Sequence, residues 1–197
     1  MVVNASITTS VDGYVAGPGD GPSAGLGAGG ERLHYWVFGG PWAYGDTEYG
    51  EATGEAKAWL DHAMSRQGAS VCGRFMYEAS GHWGDRNPWG VPTFVVTHRP
   101  EEQPESGEFV FVDGVEKAVA IAVEAAGDKD VSIAGGADVI RQALAAGLVD
   151  ELSIIVAPVI LGGGKRLFDG FTQDVELEHV GVHQSPYATF IDYRVKH

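Results

Sequence analysis

Cysteine occurs once in 197 residues, as Cys72. An intrachain disulfide is therefore excluded, and so is a thiolate zinc cage. A reducing compartment is the natural setting for such a chain. Basic residues are also scarce: 13 Lys+Arg stand against 27 Asp+Glu, a formal charge of −14. Duplex nucleic acid and anionic membrane surfaces demand clustered Lys and Arg, so neither is expected as a partner. A small anionic ligand is not excluded, because it needs only local positive charge. No apolar run is long enough to span a bilayer, and the longest, Leu152 to Leu161, contains Ser153. The opening MVVNASITTSVDGYVAG lacks a basic start followed by an apolar core, so no signal peptide is expected and a cytoplasmic location is.

Glycine is the residue in surplus, at 29. Much of it lies in GPGDGPSAGLGAGG, Gly17 to Gly30, which reads as a pliable or poorly ordered loop. This segment contains Gly25-Leu26-Gly27-Ala28-Gly29-Gly30, formally G-x-G-x-x-G. No strand immediately precedes it, so it is not read as a dinucleotide fingerprint.

Periodicity places strands at Val2–Val11, Ala69–Cys72, Pro92–Thr97, Phe109–Val112, Val131–Ala134 and Leu152–Ile160. Helical spacing falls at Glu31–Phe38, Glu55–Arg66, from Phe75 to Ala79, at Val115–Ala126 and at Asp138–Ala146, with Gly147 as a C-terminal cap. Two further strands, about Val175–His183 and Thr189–Val195, close the chain. Strand and helix alternate through the middle, which predicts a largely parallel sheet with crossover helices. The strand–strand ending predicts an antiparallel hairpin at one edge. Neither a linker nor a repeat divides residues 1–197, so one α/β domain is expected.

Four strand ends could carry chemistry. Val131-Ser-Ile-Ala-Gly135-Gly136-Ala137-Asp138 runs from strand through glycines into a helix, a cradle that offers backbone N–H groups to phosphate. A tight turn needing positive φ is the structural alternative. Cys72-Gly73-Arg74-Phe75 repeats the pattern. Arg74 at a helix start opposes the helix dipole, which an anionic partner would justify. Val96-Thr97-His98-Arg99 adds a hydroxyl and basic groups. Leu161-Gly162-Gly163-Gly164-Lys165-Arg166 resembles part of a P-loop, but Arg166 stands where Ser or Thr is needed, which disfavours ATP hydrolysis. All four ends lie on the C-terminal side of strands, where open α/β sheets bind ligands. Arg74, His98, Arg99 and Lys165 supply positive charge there, and a phosphorylated cofactor suits them better than a polymer. Cys72 reads as core rather than nucleophile, and no G-x-S-x-G elbow is present. His179 and His183 could share a strand face, with Glu176 or Glu178 near them, so a metal-dependent hydrolase is a third reading that rests on spacing alone. Trp36, beside the glycine loop, is the tryptophan expected to line a ligand pocket.

Ser10-Val11-Asp12-Gly13-Tyr14, Gly73-Arg74-Phe75-Met76-Tyr77-Glu78, Val96-Thr97-His98-Arg99, Ala134-Gly135-Gly136-Ala137, Gly147 to Leu152 and Pro158 to Gly164 occur here in order. As a set they resemble the dihydrofolate-reductase-like proteins, and more closely the RibD C-terminal domain family, the reductase of bacterial riboflavin biosynthesis and its stand-alone relatives. The resemblance covers nearly the whole chain. It implies a single-domain three-layer α/β fold with a mixed, mostly parallel central sheet, a homodimer, and NADPH as cofactor. It implies cofactor contacts from Gly73, Arg74, Thr97, His98, Arg99, Gly135, Gly136, Ala137, Asp138 and Leu161. Arg74 would lie near the 2′-phosphate, and Gly135 to Asp138 at the pyrophosphate. It implies catalytic roles for Asp12 and Glu31, and substrate contacts from Tyr14 and Trp36. The reaction implied is hydride transfer to a C=N or C=O carbon of a pteridine-like or ribosylaminopyrimidine-like molecule. Two positions depart from the riboflavin reductases: Ala134 stands where they usually carry Glu, and Tyr14 where they usually carry Lys. These departures motivate an alternative, a nucleotide-binding module of the same fold without turnover.

Overall fold

The computed structural model describes residues 1–197. One eight-stranded sheet runs through it, built from β1 (Val3–Ser10), β3 (Gln67–Gly73), β4 (Thr93–Val96), β5 (Val110–Val112), β6 (Asp130–Gly135), β7 (Glu151–Ala157), β9 (Leu177–Ser185) and β10 (Ala188–Val195). The strand order is β5-β4-β3-β6-β1-β7-β10-β9. All neighbours from β5 to β7 are parallel, and β10 pairs antiparallel with both β7 and β9. A separate ribbon joins β2 (Tyr14–Ala16) to β8 (Lys165–Arg166). The chain has an α/β fold with a mostly parallel sheet and an antiparallel edge hairpin.

Helices cover both faces. α3 (Val115–Ala126) buries Val115, Ala118, Val119, Ala122 and Ala126, a helical stripe. α4 (Ala137–Ala145) buries Val139, Ile140, Ala143 and Leu144 beside it. Both pack on the apolar side chains of β1, β3 and β6, and this forms the largest core. On the opposite face, α2 (Arg74–Ala79) sets Tyr77 against Cys72, Val95, Phe109 and Phe111. α1 (Gly54–Arg66) is a polar helix whose only buried residue is Ala56, and it leans on β9. Its Leu60, Ala63 and Met64 line a cavity, and Leu60 also packs against the cluster that holds Trp36, Ile155 and Phe190.

Three elements differ from the sequence reading. β7 stops at Ala157 instead of Ile160, because Pro158 has no N–H for the ladder. The expected helix at Glu31–Phe38 is a 3₁₀ turn over Gly30–His34. The glycine segment is not a pliable loop. Gly17 N–H donates to the Leu26 carbonyl at 2.8 Å, Ala28 N–H donates to the Pro18 carbonyl at 2.9 Å, and Gly21 pairs with Ala24. The Tyr44 hydroxyl accepts from Leu26 N–H and donates to the Gly27 carbonyl, each at 3.0 Å. A Cβ on Gly17 would strike the Ala28 carbonyl, and one on Gly27 the Gly17 carbonyl. Glycine is required here for close backbone approach.

Candidate functional site

Two strand-to-helix turns meet at the C-terminal edge of the sheet. β3 ends at Gly73 and α2 begins at Arg74; β6 ends at Gly135 and α4 begins at Ala137. A Cβ on Gly73 would lie 3.0 Å from Val139 Cγ2 and 3.6 Å from the Gly136 nitrogen. Gly135 has φ +131° and faces Met76 Sδ, which a Cβ would approach to 3.0 Å. Glycine keeps both turns narrow and their backbone open, and the first N–H groups of α4 have no intrahelical partner.

These turns open into a cavity of about 1280 Å³. At one end it is cationic: Arg74, Arg99, Arg141, Lys165 and Arg166 line it, against the carboxylates of Asp20, Asp138 and Asp169. With Glu78 and Glu102 paired to Arg74 and Arg99, this end is close to charge balance within a chain that carries −14. Arg141 Nη1 donates to the carbonyls of Arg166 and Leu167 at 3.2 and 2.9 Å, tying α4 to the β8 ribbon. Lys165 Nζ lies 2.7 Å from Asp20 Oδ2 and 3.1 Å from the centre of the Phe75 ring, so it links the glycine segment to α2.

The other end is aromatic. Trp36, Phe38, Trp42, Tyr44, Tyr49 and Trp59 line it. Trp36 is fixed by a 3.0 Å hydrogen bond from Nε1 to Thr8 Oγ1 and by edge contacts with Trp59 and Phe190. His34, half-buried, lines the same cavity, and burial pushes its imidazole pKa down to about 4. It is therefore neutral near pH 7, with one N–H donor and one acceptor nitrogen. Three buried side-chain atoms lack a hydrogen-bond partner: Trp42 Nε1, Gln67 Nε2 and Arg74 Nη1. All three are N–H groups on residues that line this cavity. A buried donor left unpaired costs free energy, so the cavity suits a ligand rich in acceptors.

Gly73, Arg74, Thr97, His98, Arg99, Gly135, Gly136, Ala137, Asp138 and Trp36 all line the cavity, as does Ala134. Arg74 and Arg99 are ion-paired with Glu78 and Glu102. Thr97 Oγ1 accepts from Arg99 N–H at 3.1 Å. His98 is 96% exposed and 3.7 Å from Asp113. The Asp138 carboxylate is already engaged by Arg141 Nη2 at 3.1 Å and Gln142 Nε2 at 2.6 Å.

Asp12, Tyr14, Glu31 and Leu161 do not line it. Asp12 accepts from the N–H groups of Leu161 and Gly162 at 3.1 and 2.8 Å. The Ser10 hydroxyl, with those two N–H groups, holds its pKa down to about 2. Tyr14 lies under the Arg166 guanidinium, 4.8 Å away. Glu31 is the second residue of the 3₁₀ turn, and the side chain of Leu161 packs with Leu33, Ala157 and Val159. Cys72 is fully buried, and burial pushes its thiol pKa up to about 12. His179 packs edge-on against Tyr193, while His183 lies 3.8 Å from Glu55 and 3.7 Å from Asp192.

Sequence reasoning missed His34, Trp42, Gln67, Arg141 and Arg166 as cavity residues. Only for Arg166 was there a signal, its place after the glycine run at Gly162–Gly164. The rest depend on which face of a helix or turn meets the sheet. No helix is long and apolar enough to cross a membrane.

The RibD C-terminal domain matches residues 1–189 of the chain. Among curated proteins, the uncharacterized protein YwjB of Bacillus subtilis (strain 168) is 27% identical over 100 residues, which span 51% of this chain and 57% of that protein. A putative riboflavin biosynthesis protein from Shewanella sp. PV-4 superposes with a TM-score of 0.71 at 23% identity, over 100% of both chains. Dihydrofolate reductase from Enterococcus faecalis, complexed with NADP(H) and RAB-propyl, superposes with a TM-score of 0.61 at 16% identity, over 100% of this chain and 97% of that one.

Proposed function

This chain belongs to the RibD C-terminal domain family, and from that premise we propose that it is an NADPH-dependent reductase of a flat, acceptor-rich heterocycle of the pteridine or ribosylaminopyrimidine kind. The two-part lining of one cavity carries the reading: glycine turns and cations in one part, aromatic rings in the other, and unpaired N–H donors in both. A volume of about 1280 Å³ exceeds the roughly 300–1,000 Å³ of ordinary small-molecule sites. It leaves room for a dinucleotide and a substrate together.

The residues suit the cofactor. Gly135, Gly136, Ala137 and Asp138 would hold the pyrophosphate at the start of α4, where Gly135 has φ +131° and a Cβ on it would meet Met76 Sδ at 3.0 Å. Arg74 and Arg99, with Thr97 and His98 beside them, would hold the adenosine ribose phosphate, and the unpaired Nη1 of Arg74 is a donor in want of an acceptor. When bound, NADPH supplies a hydride to a C=N or C=O carbon of the substrate. Trp36, locked by Thr8, gives a rigid wall for a flat ring. Trp42 Nε1 and Gln67 Nε2 supply donors to its oxygens and nitrogens. The neutral imidazole of His34 can share a proton with a substrate nitrogen or carbonyl. Asp12 acts at one remove, by holding the turn at Leu161–Gly162 against the end of β1.

Fluorescence titration tests the reading. Sub-millimolar binding of NADPH is expected, and Arg74→Ala is expected to weaken NADPH more than NADH. Absence of binding would overturn it, and equal losses for the two dinucleotides would remove Arg74 from the 2′-phosphate. Steady oxidation of NADPH with a pteridine or ribosylaminopyrimidine separates a reductase from a module that binds without turnover.

A further inference from the structure

Two guanidinium groups beside the ends of β3 and β4 converge on one carboxylate. Arg74 Nη2 donates to Glu102 Oε2 at 3.0 Å, and Arg99 Nη1 donates to Glu102 Oε1 at 3.1 Å. Glu78 closes the ring from the helix side: its Oε1 accepts from Arg74 Nε at 2.7 Å and lies 3.7 Å from Arg99 Nη2. Two positive and two negative charges cancel at the spot where the sequence suggested free positive charge.

The four groups are not equally fixed. Arg74 is held by Glu78 one helical turn away and by the Phe111 ring, 4.4 Å under its guanidinium, and its side chain is 20% exposed. Glu102 lies on the surface turn after β4, with its side chain 42% exposed and its N–H bonded to the Arg99 carbonyl. Arg74 is the anchored partner and Glu102 the displaceable one. A carboxylate with one oxygen on each guanidinium has the arrangement of a bound oxyanion. A phosphate monoester presents the same kind of oxygens with a larger charge.

Resting on the dinucleotide reading above, we propose that Glu102 is a resident competitor for the 2′-phosphate of NADPH, and so limits how far the site prefers NADPH over NADH. To seat the phosphate, Glu102 must swing out and release both ion pairs, while Glu78 remains near the incoming dianion. NADH makes no such demand, because its 2′-hydroxyl can donate to a carboxylate that stays in place. Exposed ion pairs are weak, so the effect is modest, about three- to tenfold in affinity.

The test is calorimetric titration of the full chain and of its Glu102→Gln variant with NADPH, NADH and 2′,5′-ADP at low salt. Glutamine keeps the size and an acceptor oxygen but not the charge. Glu102 lies on the surface, and matching circular dichroism melts confirm that the variant is folded. The expected result is that the ratio of NADPH to NADH affinity rises about three- to tenfold, with a parallel gain for 2′,5′-ADP. A ratio that stays or falls, with both dinucleotides still bound, overturns the role of Glu102 and leaves the reductase reading standing. If no nucleotide binds either protein, the reading and the proposal fall together.

Discussion

Asp12 shows how much one side chain can do through backbone partners. It sits just past β1, yet its carboxylate accepts from backbone N–H groups 149 and 150 residues later. The Ser10 hydroxyl first, and then those two N–H groups, favour the charged form and bring its pKa from 3.8 down to about 2. A carboxylate whose pKa is lower in the folded chain contributes stability above the unfolded value and loses it as the group is protonated. Asp12→Asn is therefore expected to lower the melting temperature at pH 7. The gap from the parent should narrow as pH falls from 3.8 toward about 2. Thermal melts across that range measure it, and a gap independent of pH would show that the charge is not what holds the turn. The resemblance implied a catalytic role for Asp12; its bonds to Leu161 and Gly162 were not legible, because those partners are distant backbone groups with no signature of their own.

Elements with a strong period were legible, and short ones were not. α3 spans Val115–Ala126 as the apolar stripe predicts, and the parallel middle of the sheet follows from the alternation of strand and helix. β2 and β8, of three and two residues, show no period and pair across most of the chain. The glycine segment was misread for a related reason: composition suggests looseness, but the residues serve close backbone contacts within the folded segment itself. Gly27 has φ +70° and faces the Gly17 carbonyl, so Gly27→Ala combines a left-handed alanine with a clash. The expected cost is about 1–2 kcal/mol or somewhat more, read from urea unfolding. A neutral substitution would mean that the segment is as pliable as its composition implies. The cationic end of the cavity was partly legible, since Gly73-Arg74 and Gly135-Gly136 sit at strand ends where ligands bind. Of the aromatic end only Trp36 was legible; Trp42, Gln67 and His34 reach the same cavity through the path of the chain on either side of α1, which no local pattern marks.

At the scale of the molecule, charge and binding are coupled through one cavity. The chain carries −14, yet five of its 13 Lys and Arg residues line this cavity. The cavity is assembled from far-separated parts: Thr8 on β1, Arg74 on α2, Arg99 after β4, Arg141 on α4 and Lys165 on β8 all line it. A ligand that bridges them stabilises the whole chain rather than one edge of it, since unfolding of any of these elements dismantles the site. Binding to the native state alone adds about 2.7 kcal/mol at a ligand concentration 100-fold above Kd. For a domain of this size that corresponds to a rise in Tm of about 5–11 °C. Under the proposed function, NADPH should produce such a rise in a single calorimetric transition, and the rise should shrink as salt is added, because phosphate contacts with exposed guanidinium groups are screened. Two separate transitions, only one of them moved by NADPH, would mean that the walls of the cavity unfold independently. A shift indifferent to salt would place the binding energy in the aromatic end, and the cationic wall would then need another explanation.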